Sequence, residues 1–312
     1  MSESREQADR EVLVEEILSA FRERRLPALR HGDRKILPEA LDAVVARGHL
    51  EAAEHAVHHL RDALPRSQYI ENLGAVFDRL PPPRDQLRFE DDPARDVQIV
   101  PRNDTETVVF LFCGHAHRLG LPLTAIHHWL GLMPASLVYL RDFRRLFYLA
   151  GIRSLGTSRR DTAAALRDIA EALGARRIAC YGNSAGAFAA LLYGLELGAE
   201  AVLALSGVVN LSREFNLHLR PAVNLARVWS ELPYEPIDLR RLFATTERPP
   251  RARLVYAEYN WDDRLHAEYL TGLPTVSLRV VEGHDGHNTV MELIKRRQLN
   301  AELGWLLSGG GS

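Results

Sequence analysis

Residues 177–193, Arg-Ile-Ala-Cys-Tyr-Gly-Asn-Ser-Ala-Gly-Ala-Phe-Ala-Ala-Leu-Leu-Tyr, constrain the fold more than any other stretch of the chain. A short apolar run leads into Gly182-Asn183-Ser184-Ala185-Gly186, and an Ala/Leu-rich run of helical character follows. The pattern predicts a strand, a sharp turn and a helix, with Ser184 at the turn. The turn demands a strained backbone at Ser184 and leaves its hydroxyl exposed; small residues at 182 and 186 let strand and helix approach without a clash. The helix begins beside the serine, so its unsatisfied N–H groups and positive dipole end face the space next to the hydroxyl. A bare Gly-x-Ser-x-Gly arises by chance in roughly one chain in ten of this length. The strand before it and the helix after it give the pattern its meaning; the bland alternative is a Gly-Ser turn that joins the two without chemistry.

The chain has 312 residues, room for one large domain or a large and a small one. Its 46% hydrophobic and 26% charged content supports an ample core. The net charge of −2 supplies no electrostatic attraction to nucleic acid or an anionic membrane. The two cysteines, Cys113 and Cys180, fall in predicted buried strands, which excludes a disulfide framework. The polar start Met-Ser-Glu-Ser-Arg-Glu-Gln has no apolar signal region, and no stretch is apolar enough to span a membrane. A cytoplasmic location is the expectation. Ser308-Gly-Gly-Gly-Ser312 reads as a flexible tail.

From about Arg10 to Leu80 the apolar residues recur at helical spacing: Leu13, Val14, Ile17, Leu18 and Phe21, then Leu41, Val44 and Val45. Residues 40–56 predict a helix, a turn at Gly48 and a second helix that Pro65 ends; 69–80 forms a third. This segment partly resembles a tetratricopeptide-type helical hairpin, with Gly48, Ala52, Ala53 and Pro65 at the matching kinds of place, but it lacks the Trp and Tyr of the full pattern. About one repeat cannot bury its own apolar face, so these helices are expected to cover the following domain beside the substrate entrance, or to bind a protein partner. Pro81-Pro-Pro-Arg84 and the charged residues 90–96 make a linker. Beyond it, apolar strand candidates (97–100, 107–113, 136–140, 177–181, 201–206, 253–259, 275–281) alternate with helical patterns at 124–132, 161–173, 184–197 and 291–307. Such alternation predicts an α/β domain with a doubly wound, mostly parallel sheet that forms its own core without residues 1–80. The domains expected are 1–90 helical, 91–307 α/β and 308–312 tail. An insertion at about 207–250, with Trp229, Tyr234 and five prolines, interrupts the alternation and is expected to act as a lid, its aromatics serving packing.

Over residues 97–307 the chain resembles the α/β-hydrolase superfamily, on the Ser184 turn, the strand succession and two later loops. The resemblance implies a catalytic triad in the order Ser, acid, His. A serine hydroxyl is a weak nucleophile and needs a base within reach; histidine titrates near neutral pH and a carboxylate fixes its tautomer. The loop Asn260-Trp-Asp-Asp-Arg-Leu-His266 offers Asp263 and Asp262; similar hydrolase sequences place the acid just before a helix carrying a His-Ala pair, here His266-Ala267, which favours Asp263 and leaves Asp262 as the alternative. The loop Gly283-His-Asp-Gly-His-Asn288 offers His287, at the superfamily's Gly-His position, with His284 as the alternative. The implied oxyanion hole uses backbone N–H of Ala185 and of His115 or Ala116, in the loop Gly114-His-Ala-His-Arg118.

His115 and His117 could also be read as metal ligands, but no third ligand cluster accompanies them; no metal and no cofactor is implied. His127-His128 is expected at a helix surface. Arg141-Asp-Phe-Arg-Arg145 reads as a solvated helix start with internal salt bridges. The sharper reading puts Arg141, Arg118 or Asn183 against substrate, since Arg suits a carboxylate or phosphate. Together these imply a serine hydrolase acting on a small or carrier-linked acyl substrate. The alternatives are an acyltransferase with the same triad and a non-catalytic scaffold.

Overall fold

The computed structural model describes residues 2–30, 32–82, 87–217, 219, 224–235 and 237–308. Pro83 and Arg84 of the expected linker, Pro221 and Pro236 of the insertion and residues 309–312 of the expected tail lie outside the described residues. The chain forms two compact units, Met1–Asp91 with Leu121–Trp129, and Asp92–Gly120 with Leu130–Ser312.

The first unit is helical: α1 (Ser2–Arg22), α2 (Asp33–Ala46), α3 (Leu50–Ala63), α4 (Gln68–Phe77), and α5 (Leu123–Leu130) as far as Trp129. Leu13, Val14 and Ile17 of α1, Leu41 and Val44 of α2, Ala53 and Val57 of α3 and Ile70 of α4 build its core. Gly48 takes a φ of +81° where α2 turns into α3, and the Ser67 hydroxyl caps α4 by accepting from Ile70 N. The sequence assigns α5 to the sheet domain; the structure groups it with the helices instead. Its Thr124 hydroxyl donates to Val45 O at 2.6 Å, and its His127 Nε2–H donates to Leu87 O at 2.6 Å. His127 is buried rather than at a surface, and burial lowers its pKa to about 4.

The second unit is built on one sheet. Its strands are β1 (Val97–Val100), β2 (Thr107–Phe112), β3 (Ser136–Leu140), β4 (Arg177–Asn183), β5 (Ala201–Leu205), β6 (Arg251–Ala257) and β7 (Val276–Val281). They lie in the order β1-β3-β2-β4-β5-β6-β7, with β1 antiparallel and every other pairing parallel. β2, β3 and β5 are buried along their whole length, which is why they read as unbroken apolar runs. Phe110, Phe112, Cys180, Val202 and Tyr256 face a core with α6 (Arg159–Ala172) and α7 (Ala185–Leu197). The insertion joins that same core. It carries α8 (Arg213–Asn216), α9 (Leu225–Glu231) and α10 (Leu239–Thr245), and buries Val209, Leu225, Val228, Leu239 and Phe243. Trp229 is half-buried and donates from Nε1 to Leu211 O at 2.6 Å. Tyr234 does not serve packing, with 99% of its surface exposed.

α11 (Trp261–Tyr269) follows β6. The single helix expected over 291–307 is two, α12 (Thr289–Lys295) and α13 (Leu299–Leu307). They are parted at Arg297, whose left-handed φ of 58° cannot continue a helix. α13 is tied to the sheet's other face through Arg253, whose guanidinium meets Glu302 at 3.0 Å and lies 4.3 Å from the Trp305 ring centroid.

The turn between β4 and α7 fits only with glycine on both sides of Ser184. Ser184 has φ 55° and ψ −124°. A methyl group on Gly186 would run into the Phe112 carbonyl and lie 2.7 Å from that of Cys113; one on Gly182 would run into the Gly186 carbonyl. Gly186→Ala should therefore cost about 3 kcal/mol or more, at the upper end of overpacking losses. Gly198→Ala meets no atom within 4 Å and changes only a φ of +65°. It should cost the smaller left-handed penalty, about 1–2 kcal/mol. Urea unfolding midpoints of the two variants measure the difference.

Candidate active site

The loops that follow β4, β6 and β7 leave the same edge of the sheet, where ligands gather in open parallel sheets. Each delivers one polar side chain. Ser184 sits at the turn into α7. Asp263 stands in the first turn of α11, whose start is fixed by the Asn260 side chain accepting from Asp263 N at 3.1 Å. His287 precedes α12, and its carbonyl accepts from Thr289 N at 3.1 Å. The Thr289 hydroxyl pairs with that of Ser206, at the end of β5, at 2.8 Å. Asn288 donates to Gly120 O at 2.6 Å. The histidine loop is thus held from two sides.

His287 Nδ1 lies 2.9 Å from both carboxylate oxygens of Asp263, and Nε2 lies 2.9 Å from Ser184 Oγ. With Nδ1–H donating to the carboxylate, Nε2 is left to accept the serine proton. Asp263 is 6% exposed, while half of the imidazole surface, 53%, is open to solvent. Burial pulls the His287 pKa down, but the hydrogen bond and charge of Asp263, with the charge of Asp262, outweigh it, so the value is raised above 6.5.

The two alternatives lie apart from this relay. Asp262 is half-exposed on the same turn and reaches His287 only through its charge. His284 turns its ring toward Gly286, where a methyl group would lie 2.9 Å from Cε1, and its carbonyl accepts from Tyr259 N at 2.9 Å.

Ala185 N is the first amide of α7 and so lacks a partner within the helix. The loop after β2 lies against the serine: a methyl group on Gly114 would be 3.3 Å from Ser184 Cβ. Gly114 N donates to Arg118 O at 3.0 Å, and His117 N to Gly114 O at 2.8 Å. Those bonds close the loop on itself and leave the amides of His115 and Ala116 unbonded among the described residues. Ala185, His115 and Ala116 thus carry backbone N–H groups without a hydrogen-bond partner beside Ser184, among the described residues.

Three expected substrate or surface assignments change. Arg141 is 2% exposed and donates to Asp92 O, Arg95 O and Gln98 Oε1 at 3.3, 3.0 and 3.1 Å, so it ties the start of the sheet unit together. Asn183 is buried and reaches Leu205 O at 3.5 Å, on the sheet side of the turn. Residues 141–145 form no helix: Asp142 is buried and accepts from the amides of Arg144, Leu146 and Tyr148. Arg118 remains half-buried in the loop beside Ser184. Sequence inspection misses Asp142, Tyr148, Ser206 and Thr289; one available signal is the polar Ser206 closing an apolar strand. Among the described residues no group of three or more His, Cys, Asp or Glu side chains is arranged to hold a metal, and no helix is long and apolar enough to cross a membrane.

No protein-family model and no curated protein sequence matches the chain. Solved structures similar to it include FphF, a fluorophosphonate-binding serine hydrolase of Staphylococcus aureus (14% identity, 68% of this chain and 92% of that one, TM-score 0.47). An S-formylglutathione hydrolase from Agrobacterium tumefaciens is 14% identical over 67% of this chain and 89% of its own, with a TM-score of 0.43. A hormone-sensitive lipase from a metagenome library is 16% identical over 81% and 97%, with a TM-score of 0.49. By strand order, antiparallel edge strand and the strand–serine–helix turn, the sheet unit has the α/β-hydrolase fold.

The charge state of His287 is testable. An imidazole works as a base only when neutral, so activity should fall as pH drops through its raised pKa. The acid limb of kcat/KM should thus lie above 6.5. Asp263→Asn removes the larger part of what raises that pKa, leaving only the charge of Asp262, so the NMR titration of His287 should move to lower pH. Turnover should drop about 10⁴-fold. An unmoved titration would contradict the electrostatic role of Asp263.

Proposed function

We propose that the protein is a serine hydrolase that cleaves an ester, thioester or amide through an acyl-enzyme on Ser184. The observation that carries this is the continuous hydrogen-bonded relay from Asp263 through His287 to Ser184, each link 2.9 Å. Ser184 Oγ attacks the carbonyl carbon while His287 Nε2 takes its proton. The carbonyl oxygen becomes an oxyanion held by Ala185 N and by the amide of His115 or Ala116. Collapse breaks the bond to the leaving group, which receives the proton from His287. Water then attacks the acyl-enzyme with His287 again as base, and the acid leaves as Ser184 is restored. Asp263 keeps Nδ1 protonated and offsets the imidazolium charge. An alcohol or amine in place of water would turn the same machinery to acyl transfer. A non-catalytic scaffold has no use for so complete a relay at a strained turn.

A fluorophosphonate probe should label the protein at Ser184, located by mass spectrometry. Ser184→Ala should fold, lose labelling and lose turnover of model esters by about 10⁴-fold or more. His287→Ala should cost nearly as much, because members of a relay act as a unit, and His284→Ala far less. Undiminished labelling of Ser184→Ala would reject the mechanism, and a reversed order of the histidines would reject the assignment of the base.

A further inference from the structure

The segment that follows β3, residues 141–151, is fixed from within more firmly than a connection needs. The buried Asp142 carboxylate accepts from Arg144 N at 3.0 Å, Leu146 N at 2.6 Å and Tyr148 N at 2.9 Å. The buried Tyr148 hydroxyl lies 2.8 Å from Cys113 O and 2.7 Å from Leu140 O, which joins this segment to the loop beside Ser184. Arg145, Phe147 and Tyr148 hold left-handed φ values of 54°, 57° and 62°. Non-glycine residues adopt that conformation only where the surroundings impose it, and such strain gathers at functional sites.

What this backbone presents is Arg145. Phe143, two residues before it, places its ring 5.0 Å from that of His117; Phe147, two residues after it, places its ring 4.7 Å from that of His115. Arg145 lies between these two phenylalanines in sequence, and its charge acts on both His115 and His117, in the loop that carries the proposed oxyanion amides. Its main chain is held on both sides, N donating to Asp142 O at 3.1 Å and O accepting from Asn224 Nδ2 at 3.1 Å. Its side chain is exposed and, among the described residues, has no carboxylate partner. Asp142, the nearest acid in sequence, is occupied by backbone amides. Burial, then the charge of Arg145, lowers the pKa of both histidines, that of His115 to about 4. Both are therefore neutral at pH 7, and Arg145 is an exposed cation whose charge both histidines feel. A planar guanidinium in that setting suits a carboxylate.

We infer that Arg145 selects substrates bearing a carboxylate, so that the preferred esters are anionic. This rests on the Ser184 mechanism proposed above. The carboxylate could sit on the acyl chain or on the leaving group, and two pairs of esters distinguish these: mono-p-nitrophenyl adipate against p-nitrophenyl hexanoate, and 4-acetoxybenzoate against its methyl ester. In the wild-type protein kcat/KM should favour the anionic member of one pair. Arg145→Asn, chosen because Asn tolerates a left-handed backbone, should lower that ratio about tenfold or more. Arg145→Lys, which keeps the charge but not the fork, should fall between, and added salt should reduce the wild-type ratio. Ratios in both pairs that Arg145→Asn leaves unchanged, while turnover still depends on Ser184, would overturn this inference alone. Turnover that survives Ser184→Ala would overturn the mechanism and the inference with it.

Discussion

Holding Ser184 at a φ of 55° requires β4 and α7 to approach more closely than any side chain allows, and much of the site is arranged around that approach. Gly186 lets the end of β2 pass over the start of α7, carbonyl to glycine. The loop after β2 is thereby laid against the serine. A side chain at 186 would collide with the carbonyls of Phe112 and Cys113 and push that loop away. The cost of the strained serine is met by the surroundings: α7 is buried over most of its length, and β2, β4 and β5 clamp its approach from behind.

The same economy governs the relay. Asp263 needs no cation to hold it, because Asn260 fixes the helix start on which it stands and His287 supplies the donor it faces. His287 is kept in place by its neighbours rather than by its own contacts: the Ser206–Thr289 hydroxyl pair on one side and the Asn288–Gly120 bond on the other. The backbone is thus fixed while half of the imidazole remains open to solvent.

Much of this was legible in the sequence, and the reason is local chemistry. Buried parallel strands show as apolar runs, and a serine between two glycines after such a run has few uses. The order of serine, acid and histidine then followed from the family resemblance. What stayed illegible was burial of charge. Arg141 and Asp142 look like a surface pair because their partners, the carbonyls of Asp92 and Arg95 and the amides of 144–148, are main-chain groups that no residue pattern encodes. His127 is hidden for the same reason, its partner being the carbonyl of Leu87. The break at Arg297 lies in a run of good helix formers, and only the left-handed backbone there reveals it.

α5 has a bearing on where the chain can be cut. The chain passes between its two units at Asp91/Asp92, Gly120/Leu121 and Trp129/Leu130. The helix α5, separated in sequence from the rest of the helical unit, carries a hydroxyl and an imidazole satisfied by the carbonyls of Val45 and Leu87. Without those carbonyls two polar groups would lose their partners, one of them deeply buried. A cut after the first helices would therefore unpair groups that lie far along the chain from it.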